Sequence, residues 1–125
     1  MNKITERLSS IFTEKQIQAM KDAWKYGKWG DCEITFGDEK EDSIAIGACT
    51  NDINRGGNFT GRQISGIMSG ISKKIIEANT NLVENISDWW GDGTGDMIFF
   101  NCEAFGYDNS TDAWNDFDEW SMSNN

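Results

Sequence analysis

Histidine and proline are both absent from this chain of 125 residues. Without an imidazole there is no Ser-His-Asp or Cys-His catalysis, no histidine metal site and no histidine pH switch. Acids are so numerous that no carboxylate pair stands out as glycosidase-type machinery. The expectation is a protein without enzymatic activity, cofactor or bound metal. No stretch reaches the roughly 18–20 apolar residues of a membrane span, and the N-terminus is amphipathic where a secretory leader would be a hydrophobic run. Cys32, Cys49 and Cys102 are the only cysteines. Odd in number, widely spaced and set in or beside apolar stretches, they read as reduced core thiols and not as a disulfide framework or zinc knuckle. These features predict a cytoplasmic protein with no membrane partner.

Positive charge is missing from a large part of the chain. All 11 bases lie within residues 1–74, whereas residues 75–125 hold 11 of the 21 acids and no lysine or arginine. The formal charge of −10 repels free nucleic acid and anionic lipid and favours a basic protein partner. Only 38% of residues are hydrophobic, but six Trp, seven Phe and two Tyr concentrate enough apolar area to form a core. At this length one domain over residues 1–125 is expected, with residues 121–125 frayed.

Ile4, Leu8 and Ile11 follow helical spacing, and Thr13 to Gln16 fits a capping box that opens a second helix carrying Ile17, Met20 and Trp24. Cys32, Ile34 and Phe36 then alternate with polar residues, and Ile44, Ile46 and Ala48 share one face of a second run, which predicts a β-hairpin. Residues 50–61 form a Gly- and Asn-rich loop. Beyond it, Ile64, Ile67, Met68, Ile71 and Ile75 mark one long central helix, with Lys73 and Lys74 in its later turns. Gly66 and Gly70 on that helix suggest close packing against another element. Leu82 to Ile86 suggests a short strand or turn, Met97 to Phe100 a buried strand, and Thr111 the cap of a short final helix with Trp114, Phe117 and Trp120 inward. The fold class is α+β: an N-terminal helical hairpin, a small antiparallel sheet, a long central helix and a short C-terminal helix.

Three groups of residues carry candidate chemistry. Asp112, Asp116 and Glu119 recur at helical spacing opposite the aromatic face, a row able to imitate the charge of a nucleic-acid backbone. Trp89 and Trp90 precede a turn bearing Asp92 and Asp96, and of two adjacent residues on extended backbone one faces outward as an interface anchor. The partner-binding set is therefore Trp89, Trp90, Asp92, Asp96, Asp112, Asp116 and Glu119. Asp92, Thr94, Asp96 and Glu103 approach calcium-ligand spacing, but Met97 stands where the loop needs Gly, and a glycine-permitted turn capped by aspartates is the preferred reading. Arg55, Gly56, Gly57 and Arg62 form the alternative site, able to hold an anion or nucleotide with guanidinium groups and backbone N–H groups at a helix start.

The segments Thr50-Asn51-Asp52, Arg55-Gly56-Gly57, Gly61-Arg62, Ile71-Ser72-Lys73-Lys74 and Asp88-Trp89-Trp90-Gly91-Asp92-Gly93 look like those of small phage and mobile-element proteins. In size, acidity and lack of catalytic residues the chain is similar to anti-defence inhibitors of the anti-CRISPR type. That resemblance implies inhibition by occupying a host effector. The leading expectation is a non-enzymatic inhibitor that binds a basic effector directly, without contacting nucleic acid, through an acidic nucleic-acid-mimicking surface. The alternatives are a sponge for a phosphorylated nucleotide signal and an immunity protein for a basic toxin nuclease. A second copy of the chain is a further partner the sequence admits.

Overall fold

A computed structural model describes residues 3–27, 34–36, 40–49, 59–87, 91, 95–108 and 110–123. Helices α1 (Lys3–Ser9) and α2 (Glu14–Gly27) open the chain. The capping box between them is present: Gln16 N–H donates to Thr13 Oγ1 at 3.1 Å, and Thr13 N–H donates to Gln16 Oε1 at 3.0 Å. Strands β1 (Ile34–Phe36) and β2 (Lys40–Cys49) make the expected antiparallel hairpin. After α3 (Gly61–Ser69) and α4 (Ile71–Ala78) come β3 (Val83–Ser87), β4 (Gly95–Asn101), α5 (Cys102–Phe105) and α6 (Ser110–Met122). The four strands are ordered β1-β2-β4-β3, so the fold is α+β. Among the described residues no helix is long and apolar enough to cross a membrane.

Register explains how the sheet is buried. Ile44 pairs with Phe100 and Ile46 with Ile98, while Val83 also lies opposite Phe100. All five enter the main core with Ile4, Leu8, Met20, Trp24, Ile64, Phe117 and Trp120 from the helices. Ala45, Met97 and Phe99 alternate to the other face and form a second buried cluster, with Ile86 against it. The main core is dominated by rings. Phe100 stands 4.7 Å from Phe117 and 5.9 Å from Trp120 between centroids, and Trp24 stands 4.7 Å from Trp114. Each well-placed aromatic pair contributes about 0.5–1.5 kcal/mol beyond its buried area.

Several expectations are corrected. The single central helix is two helices, because Gly70 closes α3 by donating its N–H to the carbonyl of Ile67 at 3.1 Å and then starts α4. Lys73 and Lys74 consequently sit near the start of α4 and not in the last turns of a long helix. Among the described residues the expected close packing at Gly66 and Gly70 is absent: a Cβ at Gly66 would meet nothing within 4 Å, and one at Gly70 would make only ordinary contacts. The final helix begins at Ser110, so Thr111 is inside it and is not its cap. The helix runs to Met122, with Ser121 buried and Lys21 Nζ donating to Ser123 O at 3.2 Å. One further turn, α5, is capped by the Asn101 side chain and closed by Gly106 at φ 97°.

Candidate functional site

Helix α6 is shaped by its aromatic side. Ala113, Phe117 and Trp120 are buried, and Trp24 Nε1–H donates to Asp118 Oδ1 at 2.7 Å, fixing α6 against α2. With that side committed to the core, Asp112 and Glu119 are exposed and Asp116 is half-buried between them. At 1.5 Å of rise per residue the three carboxylates are spread over about 10 Å of helix. Asp116 accepts a short hydrogen bond from the Tyr107 hydroxyl. The phenol is pushed above the usual tyrosine range, first by burial, then by its bond to Asp116, with the charge of Glu119 a smaller contribution. Tyr107, absent from the expected site, therefore belongs to it: Asp116 and Glu119 both act on one buried phenol.

Other expected members fall elsewhere. Asp96 is 4% exposed, and Ser65 Oγ of α3 donates to its Oδ2 at 2.9 Å, so its charge faces the interior and presents nothing to a partner. Asp96 lies near the start of β4 and Glu103 beyond its end. At about 3.3 Å per residue the strand holds them more than about 15 Å apart, so the calcium-like spacing does not converge for this pair. Arg62 is exposed in the first turn of α3. Trp89, Trp90, Asp92, Thr94, Arg55, Gly56 and Gly57 lie outside the described residues.

The fold also brings bases to the acidic half. Arg7 donates to Ala104 O at 2.7 Å, and Lys3 donates to Gly106 O at 3.3 Å while its Nζ sits 4.2 Å from the centre of the Tyr107 ring. Both therefore meet the carbonyl end of α5, where a helix dipole favours cations. Lys21 is 1% exposed and donates to Ser123. Its pKa is held below the ordinary lysine value by burial, then by the neighbouring Lys25. The exposed acidic face of α6 is thus bordered, at Tyr107, by a cation from α1.

Comparison with protein-family models, with curated proteins and with solved structures gives no match to this chain.

Proposed function

We propose that this chain is a cytoplasmic, non-enzymatic inhibitor that lays the acidic face of α6 into the basic nucleic-acid-binding groove of a host defence effector. What supports this reading is the fixed presentation of the stripe Asp112, Asp116 and Glu119. Its inner side is held by Phe117, Trp120 and the bond from Trp24 to Asp118, and its middle carboxylate is held by Tyr107. Preorganised charge loses little side-chain freedom on binding. A spacing of about 5 Å between carboxylates is sparser than the roughly 3.4 Å per phosphate along one strand of duplex DNA, yet of the same order. A basic groove built for a backbone meets a comparable row of anions.

Such an interaction is steered by charge and weakens as salt shortens the range of the field, from about 10 Å at 0.1 M ionic strength. The test is competition. A purified effector is bound to labelled nucleic acid, and the chain is titrated in at rising salt. The chain should displace the nucleic acid, and Asp112→Asn, Asp116→Asn and Glu119→Gln together should weaken displacement at least tenfold. Displacement that ignores both salt and these substitutions would contradict the proposal. An immunity protein against a basic toxin nuclease would use the same surface, and genomic neighbours distinguish that partner from a defence effector.

A further inference from the structure

A second surface, separate from the acidic face, has the opposite character. Lys15 of α2 and Arg62 of α3 line one groove together with Phe59, Gln63, Gly66 and Ile67, and its volume is about 230 Å³. In a chain whose acids outnumber its bases almost two to one, surface cations ordinarily find carboxylates. Neither Lys15 nor Arg62 makes a hydrogen bond or ion pair with any described residue, although both converge on this groove. Phe59 is half-buried, packed against the main core on one side and lining the groove on the other. Phe59 thus joins the groove to the core.

Gly66 is the second, independent observation. Glycine inside a helix weakens it, and the usual compensation is close approach by a neighbouring element. Here a Cβ would meet nothing within 4 Å among the described residues, so their packing gives no reason for glycine. The position does, however, line the groove together with the two cations and the ring. A larger side chain would occupy that space. Glycine keeps the groove open at a cost to the helix.

We infer that this groove binds a mononucleotide, its phosphate between Lys15 and Arg62 and its base stacked on Phe59. Paired cations recognise a phosphate, and an aromatic side chain lining the same groove offers a surface on which a base stacks. The volume lies below the range of about 300–1,000 Å³ typical of drug-sized pockets, which suits one base and one phosphate and not a dinucleotide. The inference does not depend on the acidic face, and either can fail without the other.

The probes are adenosine, guanosine, cytidine and uridine 5′-monophosphates and inorganic phosphate, each titrated into the full chain by calorimetry and by amide NMR. At least one mononucleotide should bind with millimolar or tighter affinity and shift the Gly66 amide, and inorganic phosphate should bind at least tenfold more weakly. Lys15→Ala and Arg62→Ala should each reduce affinity about tenfold. Gly66→Leu should abolish binding with no fall in unfolding temperature, which separates a blocked groove from a damaged fold. Three results would each overturn the inference: no saturable binding of any mononucleotide, inorganic phosphate binding as tightly as the nucleotides, or full affinity in the Gly66→Leu protein.

Discussion

The hydroxyl of Tyr107 donates to the carboxylate of Asp116, nine residues further along the chain. This bond joins the loop after α5 to the exposed side of α6, and Lys3 lies over the same ring. The middle of the acidic stripe is therefore braced from α1 and α5 as well as from its own helix. Replacing Tyr107 by Phe removes the bond and leaves the net charge at −10. Urea denaturation should show a loss of about 1–3 kcal/mol, the range for a buried hydrogen bond to a charged group.

The same residue gives stability a dependence on alkaline pH. A phenol whose pKa is raised by folding keeps its proton longer than in the unfolded chain, so its contribution is intact below pH 10.0 and is lost as pH rises beyond that value. Lys21 acts in the opposite sense. Its folded pKa is lowered from 10.5, so the stability it withholds returns as pH climbs toward 10.5. Denaturation midpoints measured from pH 8 upward should show the fall reduced in Tyr107→Phe and the preceding rise reduced in Lys21→Met.

Trp24 and Asp118 offer a second test of how α6 is held. Trp24→Phe deletes the indole donor at 2.7 Å from Asp118 and thins the contact with Trp114 and Phe117. A loss of about 2–4 kcal/mol is expected from the missing hydrogen bond and the cavity together. Asp118→Asn keeps an acceptor oxygen and should cost less than half as much in the same experiment.

Two glycines should respond to alanine with opposite signs. At Gly66 the new methyl meets open space on a helix, so Gly66→Ala should raise stability by about 0.5–1 kcal/mol. Gly106 has φ 97°, a conformation that L side chains rarely adopt, and Gly106→Ala should lower stability by about 1–2 kcal/mol. Thermal and chemical unfolding of the pair measure both.

Features governed by neighbours three or four residues apart are visible in the amino-acid order. The capping box Thr13 to Gln16 is one, and the spacing of Asp112, Asp116 and Glu119 against Phe117 and Trp120 is another. Thr60 and Gln63 form the same reciprocal box at the start of α3, with bonds of 2.9 and 3.2 Å, but the Gly-rich loop before them obscures it. The apolar period running from Ile64 to Ile75 conceals the break at Gly70, because α4 resumes nearly in phase and only the local capping bonds separate the two helices. The fate of Asp96 depends on Ser65, 31 residues away, and that of Arg7 on Ala104, 97 residues away. Charge that is segregated along the chain is thus partly interleaved by packing. The stripe on α6 was legible from period alone, whereas its brace at Tyr107 and the groove joining Lys15 to Phe59 and Arg62 arise only when distant elements meet.

One measurement addresses the acidic face most directly: the affinity of the intact chain for a nucleic-acid-binding effector it displaces from its substrate, determined between about 50 and 300 mM salt with and without Asp112→Asn, Asp116→Asn and Glu119→Gln. Asn at position 116 retains an acceptor for Tyr107, so the fold is preserved while the charge is removed. Affinity should fall by about tenfold or more across that salt range, and the neutralised chain should bind at least tenfold more weakly with a flatter salt dependence. Equal affinity for the two chains at every salt concentration would contradict the account.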